Sequence, residues 1–153
     1  MESATYEDKP KYDIWIKAIL GFPLVFILIP GLYSFSNNDA ETAFAMLVTT
    51  VLIAIIYWVI LPRKYCISDT KVKIMLGGPF AFSVPFATIQ SARPPEGMSV
   101  GINFATSFSS KNAIQIVRKG KLDVNITPGN RATFLENLDK ALNSWREYNT
   151  KNF

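Results

Sequence analysis

Two long apolar runs lie between residues 14 and 61 of the chain. The first, Ile14 to Phe35, is 22 residues long with Lys17 as its only charge, and the second, Ala43 to Leu61, has no charged residue. As a helix with 1.5 Å rise per residue, the first run spans roughly 33 Å, enough for a hydrocarbon core of about 30 Å. The pattern therefore predicts two transmembrane helices, over residues 14–35 and 43–62.

The charges around the two runs predict their orientation. Basic residues flank the outer ends of the runs: Lys9, Lys11, Lys17, Arg63 and Lys64. The connection of residues 36–42 carries only Asp39 and Glu41. Because Lys and Arg are enriched on the cytoplasmic side of membrane segments, we expect a helical hairpin with an external loop at 36–42. Both termini are then cytoplasmic, residues 1–13 form a cytoplasmic tail, and the protein is a multi-pass protein of the cytoplasmic (inner) membrane.

A cleaved signal peptide is the alternative for the first run, since Ser34-Phe35-Ser36 resembles a small-x-small cleavage site. The apolar region of a signal peptide is usually about 7 to 15 residues long and lies close to the initiator Met. The run here is 22 residues long and begins at residue 14. We therefore favour a membrane span.

After Pro62-Arg63-Lys64 the pattern changes to an alternation of apolar and polar residues. In "KVKIML", residues 71–76, Val, Ile and Leu occupy every second position, the period of a half-buried strand. Similar short segments are separated by turns such as Gly77-Gly78-Pro79 and Lys119-Gly120. This spacing predicts about seven strands between residues 64 and 127, and so many short strands favour a closed or nearly closed barrel.

The last element has helical spacing instead. Phe134, Leu138, Leu142 and Trp145 lie on one stripe of a helix over about residues 130–146, and Asn130 is a suitable N-cap. The stripe predicts that the helix covers the open end of the barrel. We expect residues 63–146 to form one cytoplasmic domain that folds without the spans, followed by a C-terminal tail at 147–153.

Five short motifs follow one another in this part of the chain. They are "YCISD" at 65–69, "GPF" at 78–80, "VPFATI" at 84–89, "RP" at 93–94 and "ITPGNRATFL" at 126–135. In their order and spacing they resemble the bacterial pleckstrin-homology-like membrane proteins, over essentially residues 50 to 145. The resemblance implies a small all-β barrel or sandwich of about seven strands capped by a C-terminal α-helix. It implies no defined activity, because a fold does not fix a function.

The residue types present exclude several kinds of chemistry. The chain has no His and one Cys, Cys66. An internal disulfide is therefore impossible, and Cys/His zinc sites and His-dependent triads lack their ligands or base. Within an alternating strand, Cys66 is interpreted as a buried and inert thiol rather than a nucleophile. We predict that the protein is not an enzyme and has no catalytic residue, no cofactor and no metal site.

Charge is unevenly distributed along the chain. From Arg63 onward there are 13 Lys/Arg and 6 Asp/Glu, a net charge of +7, against −3 for residues 1–62. The densest cluster surrounds Gly120, and a second basic pair lies on a predicted strand. The candidate residues for binding an anionic lipid or a partner are thus Arg118, Lys119, Lys121, Lys71 and Lys73. For the last two, the solvated face of a half-buried strand is the alternative interpretation.

These features predict a membrane-anchored binding module. Its basic domain would dock a protein partner, a second copy of the chain or an anionic lipid at the cytoplasmic membrane face, where each basic residue contributes about 1 kcal/mol near anionic lipid. The alternative is a small structural or assembly subunit of a larger membrane complex. Nucleic acid is disfavoured because basic and aromatic residues are not interleaved as a base-stacking surface requires, and no small-molecule substrate is indicated.

Overall fold

The computed structural model describes residues 5–95 and 101–151. Two long helices, α1 (Ile14–Ser36) and α2 (Ala40–Ile60), form a hairpin. In the most apolar window of each helix, only 6% and 0% of the residues are buried. Two core helices of a soluble protein would be mostly buried, whereas these helices are long and apolar enough to cross a membrane. The hairpin predicted from the sequence is thus confirmed in its two apolar helices.

Eight strands occur in the described part of the chain. Their bounds are β1 (Tyr6–Asp8), β2 (Lys64–Ile67), β3 (Lys71–Met75), β4 (Ala81–Pro85), β5 (Ile89–Arg93), β6 (Gly101–Phe104), β7 (Ile114–Arg118) and β8 (Asp123–Ile126). The first sheet has the order β1-β2-β3-β4 and is antiparallel throughout. The second has the order β5-β7-β8-β6, with β6 parallel to β8. Short helical turns at Phe86–Thr88 and Ser110–Asn112 lie in the connections.

One hydrophobic core lies between the two sheets and a C-terminal helix, α3 (Arg131–Lys151). The helix buries Phe134, Leu138 and Leu142 in this core, as its apolar stripe predicts. The Asn130 side chain accepts a hydrogen bond of 3.1 Å from the Thr133 N–H, which confirms the predicted N-cap. The helix continues five residues beyond the predicted end because no Gly or Pro interrupts residues 146–151.

The strands after α2 number seven in the described residues, as predicted, but they do not form one closed hydrogen-bonded barrel. They divide into two sheets, which gives the sandwich rather than the closed form of the predicted fold. The second sheet is not a simple meander either, since the chain leaves β6 at one edge and passes the end of β8 to begin β7. The polar stretch at 105–113 is long enough for this crossing.

The predicted N-terminal tail contains a strand of the first sheet. β1 pairs with β2, placing Tyr6 opposite Ile67 and Asp8 opposite Tyr65. The ring of Tyr6 lies 6.1 Å from that of Phe134 in an edge-to-face contact, so β1 also covers part of the core beneath α3. The segment before α1 is therefore built into the domain that follows α2.

Residues 9–13 then connect this strand to the second half of the domain. The N–H of Lys11 donates to the carbonyl of Thr127 at 2.9 Å, and the N–H of Gly129 donates to the carbonyl of Lys9 at 2.8 Å. Just before α1, the N–H of Asp13 donates to the carbonyl of Thr106 at 3.0 Å. We call residues 5–13 the N-terminal strap, because they bind both sheets before entering the first helix.

The end of α2 is also fixed against the domain. The Gly77 N–H donates to the carbonyl of Val59 at 3.3 Å, and a Cβ at Gly77 would lie 1.6 Å from the Trp58 carbonyl oxygen. Only glycine permits this approach. The hydroxyl of Tyr12 in the strap donates to the carbonyl of Pro62 at 2.6 Å. The start of α1 and the end of α2 therefore meet the same end of the domain, which we call the proximal end.

Candidate functional site

Among the residues that the structure describes, three turns lie at the opposite end of the domain. They are the β2–β3 turn at residues 69–70, the helical turn Phe86–Thr88 and the β7–β8 turn at 119–122. The Phe86 N–H donates to the carbonyl of Thr70, and the Lys119 N–H donates to the carbonyl of Thr88, both at 2.8 Å. From these turns β3 runs back to Met75, next to the Gly77 contact with α2. We call this side the distal end.

Lys119 and Lys121 are exposed on the β7–β8 turn at the distal end. Between them, Gly120 has a φ of 64°, the left-handed region that glycine adopts without steric cost. A Cβ at Gly120 would meet no heavy atom within 4 Å. The turn thus projects from the described surface and presents two ammonium groups on an open backbone.

Arg118 does not share this exposure. It is 9% exposed, and its guanidinium lies 5.9 Å from the centre of the Phe82 ring. Its Nη1 donates to the Leu122 carbonyl at 3.3 Å and its Nε to the Thr88 hydroxyl at 3.5 Å. The side chain therefore holds the β7–β8 turn against β4, and the predicted cluster of three basic residues is reduced to two at the surface.

Lys71 and Lys73 lie on the outer face of the first sheet and are partly buried. Lys71 begins β3 at the distal end, opposite Pro85, whereas Lys73 lies in the middle of the strand between Cys66 and Ser83. The structure thus brings Lys71, Lys119 and Lys121 to the distal end. Lys73 lies between the distal and proximal ends, in the middle of β3.

A groove at the same end was not predicted from the sequence. It has a volume of about 570 Å³ and lies between the C-terminal half of α3 and the β2–β3 turn. Its lining includes Asp69, Lys140, Trp145 and Tyr148. Trp145 was assigned wholly to the core stripe, but it is only partly buried and packs edge-to-face on Phe86 at 6.4 Å. Tyr148, one turn further on, was a sequence clue that the aromatic stripe extends beyond the core.

The single thiol is poorly suited to nucleophilic chemistry. Cys66 is 6% exposed, and burial raises the pKa of its thiol, with the nearby carboxylate of Glu7 adding to the increase. The Glu7 carboxylate accepts from Lys64 Nζ at 2.7 Å, and this hydrogen bond lowers the pKa of Glu7. Lys64 and Lys73 lower the pKa of Cys66, but burial and Glu7 outweigh them, so the thiol stays protonated and is not activated as a thiolate.

A buried tyrosine connects the two sheets beneath this surface. The Tyr65 hydroxyl on β2 donates to the carbonyl of Phe104 on β6 at 3.0 Å and accepts from the Thr127 N–H at 3.4 Å. Burial raises the pKa of this phenol well above its usual value. Tyr65 remains neutral at ordinary pH, and its hydrogen bonds hold the sheets in a fixed relation.

Comparison of the chain with protein-family models, with curated proteins and with solved structures finds no match. A function for the chain therefore follows from its own geometry and charge. The features with chemical consequence are the attachment of the domain to both helix ends and the basic, grooved surface at its distal end.

Proposed function

We propose that this protein is a membrane-anchored binding module of the pleckstrin-homology-like type, which docks an acidic protein partner at the cytoplasmic membrane face. The observation that carries this proposal is the position of Lys119 and Lys121. They are exposed at the distal end, while both helices join the domain at the proximal end. The basic turn is thereby directed away from the anchor.

Distance favours a protein over the lipid of the same membrane as the ligand of this turn. β7 and β8 have five and four residues. At about 3.3 Å per residue they separate the turn from the proximal end of the domain by roughly 13 to 17 Å. The Debye length at physiological ionic strength is about 8 Å. Attraction to the lipid headgroups beneath the domain is therefore largely screened, whereas a partner in the cytoplasm meets the two ammonium groups directly.

The charge of the whole domain has a second effect. Residues 63–153 carry a net charge of +7, and the strap residues 5–13, with two Lys against two Asp and one Glu, carry −1. The resulting +6 attracts acidic surfaces during encounter and raises the association rate at low salt. The groove lined by Trp145 and Tyr148 lies at the same end, and aromatic side chains are enriched at protein interfaces. Charge would thus bring the partner to the distal end, and the groove offers apolar area for it to bury.

The proposal is tested by photocrosslinking of the full chain in its native membranes. A benzophenone amino acid at position 121 is expected to capture a protein, whereas one at Lys111, which is also an exposed lysine, is expected to capture much less. Replacing Lys119 and Lys121 by Gln should weaken binding of the captured protein by about three- to tenfold, and this difference should shrink at high salt.

Other outcomes of this crosslinking contradict the proposal. Lipid adducts at position 121 would show that the turn contacts lipid rather than a protein partner. Equal protein capture at 111 and 121 would show that contact is not specific to the turn. Unchanged affinity of the Gln variant would exclude these lysines from the contact.

The proposed orientation has a separate test. If both termini are cytoplasmic, a cysteine at the exposed position Ala40, in a Cys66→Ser background, should react with a membrane-impermeant maleimide added outside intact cells. A cysteine at Lys151 should react only after the membrane is permeabilised. Labelling of position 151 but not position 40 in intact cells would show that the orientation is the opposite of the proposed one.

A second candidate function is that of a small assembly subunit in a larger membrane complex. It is favoured by the apolar side chains that α1 and α2 leave uncovered, among them Phe22, Phe26 and Phe44, each exposed by more than 60%. A groove of about 290 Å³ between the helices is lined by Leu28, Phe35 and Met46. Crosslinks from position 26 or 44 to one protein in fixed proportion would favour this function, and crosslinks to lipid alone would contradict it.

A further inference from the structure

Two exposed phenylalanines lie at the proximal end of the domain. Phe80, in the β3–β4 turn, is 51% exposed, and Phe108, in the loop after β6, is 69% exposed. Exposed apolar side chains mark a site of interaction where they adjoin a larger apolar surface, and each of these two lies beside the end of a long apolar helix. The positions of both are fixed by contacts with the helix ends.

Phe80 is held at the end of α2. Its carbonyl accepts from the Leu76 N–H at 2.9 Å, which closes the turn around Gly77 and Gly78. A Cβ at Gly78 would lie 3.0 Å from the Trp58 ring, and Gly77 contacts the backbone of Trp58 and Val59. Since Trp58 belongs to the last turn of α2, the Phe80 turn lies level with the end of that span.

Phe108 is held at the start of α1 by an independent set of bonds. The carboxylate of Asp13, the residue before α1, accepts from the Phe108 N–H at 3.1 Å and also from the Ser107 hydroxyl. Two residues into the helix, Trp15 is 70% exposed. Aromatic rings prefer the boundary between headgroups and hydrocarbon, so Trp15 and Trp58 indicate the level of that boundary beside each phenylalanine.

We propose that Phe80 and Phe108 insert into the lipid interface and hold the proximal face of the domain on the bilayer. This inference rests on the proposed membrane anchor. The occupant is a bilayer because both rings are exposed and each belongs to a loop that contacts the end of a long apolar helix. A cationic group lies beside the Phe80 turn, since Arg63 stacks over the Trp58 ring at 5.2 Å and that ring lies against Gly78. Lys111 follows Phe108 by three residues in the sequence. Apolar rings flanked by cations suit the boundary between acyl chains and phosphate groups.

The consequence for the domain is a fixed orientation. The strap and the Gly77 contact attach it at both helix ends, and the two rings add contacts with lipid on that same face. The distal end is then directed to the cytoplasm. Two separate membrane contacts, one beside each span, restrict tilting more than the covalent connections alone.

Spin labelling of the full chain in vesicles of equal parts phosphatidylcholine and phosphatidylglycerol tests the inference. In a Cys66→Ser background, nitroxides are placed singly at Phe80, Phe108, Leu122 and Phe26. Leu122 is the matched control, because it is 58% exposed but lies at the distal end. Phe26, within α1 and 67% exposed, is the control for membrane insertion.

The expected result is that collisions with oxygen, which partitions into lipid, exceed collisions with a water-soluble nickel chelate severalfold at positions 26, 80 and 108. The ratio should reverse at position 122. Labels at the exposed neighbours Pro79 and Ser110 should show the same preference without replacing either ring. Circular dichroism identical to that of the unlabelled chain verifies the fold of each variant.

Other outcomes of the spin labelling contradict either the inference or the membrane anchor on which it rests. Lipid contact at position 26 with water contact at 80 and 108 would contradict the inference and leave the membrane anchor intact. Water contact at position 26 would contradict the anchor itself. Labels at 80 and 108 that are shielded from both reagents would show a protein contact in place of lipid and would also overturn the inference.

Discussion

A soluble protein of residues 63–153 alone is expected to be much less stable than the same residues joined to the N-terminal strap. The strap contributes β1 and three further backbone hydrogen bonds of residues 9–13 to Thr106, Thr127 and Gly129. The three further hydrogen bonds, at about 1 kcal/mol each, and about 2 kcal/mol for the partial burial of Tyr6 already make the loss roughly 5 kcal/mol, to which the β1–β2 hydrogen bonds add. Small domains are stable by only about 5 to 15 kcal/mol. Urea unfolding of the two proteins, followed by circular dichroism, measures the difference.

The joined protein needs only a short linker in place of the two helices. Tyr12 contacts Pro62 at 2.6 Å, so a few Gly and Ser residues can connect position 13 to position 63. A matched control is Lys11→Pro in the joined protein, which removes the N–H that bonds to Thr127 and should lower stability by a part of the full effect. Equal stability with and without the strap would show that residues 63–153 form the domain by themselves.

The strap was not predicted because its signal in the sequence is too short. β1 has three residues, fewer than the four to eight over which strand alternation can be recognised. Its pairing with β2 joins residues about 60 positions apart on either side of the helical hairpin. No local pattern specifies such a contact. Because β1 was not recognised in the sequence, residues 63–146 were expected to fold alone.

The longer elements were predictable because apolar residues follow a regular pattern in the sequence of each of them. Continuous apolar sequence specified α1 and α2, alternation specified the seven strands after α2, and the stripe of Phe134, Leu138 and Leu142 specified α3. The grouping of the strands was not predictable, since β4 and β5 each show one buried face whether a barrel closes or two sheets pack. The parallel pairing of β6 with β8 likewise depends on the path of a polar loop that carries no periodic signal.

The candidate site was predicted in position but not in every member. A basic turn around Gly120 follows from sequence alone, and Lys119 and Lys121 are exposed there. Arg118 precedes them by one residue, yet its guanidinium packs on Phe82, far away in sequence. An Arg at a strand end serves either as a surface charge or as a packed donor, depending on its neighbours in space. Those neighbours belong to β4 and the Phe86–Thr88 turn, which only the tertiary fold brings close.

Leu138→Asp is expected to lower the free energy of unfolding of the domain by several kcal/mol. Leu138 is 0% exposed on the core face of α3, and a carboxylate there loses its hydration without gaining a partner. Cys66, 6% exposed, reports this opening in the full chain in membranes, because alkylation of its thiol requires local or global unfolding. A destabilisation of about 4 kcal/mol should accelerate alkylation roughly a thousandfold at neutral pH, since each 1.4 kcal/mol changes the open population tenfold.

The pH dependence and a control on the opposite face make this last result specific. Burial raises the folded-state pKa of the introduced carboxyl above its unfolded value of about 3.9. Stability is therefore retained in acid and falls as pH rises from about 4 towards the raised folded-state pKa. The stability loss, measured by urea unfolding of the joined protein, should be smaller at about pH 4 than at pH 7. Lys140→Ala removes only an exposed ion pair with Glu136 and should leave Cys66 alkylation almost unchanged. A wild-type alkylation rate in Leu138→Asp would show that α3 does not seal the core.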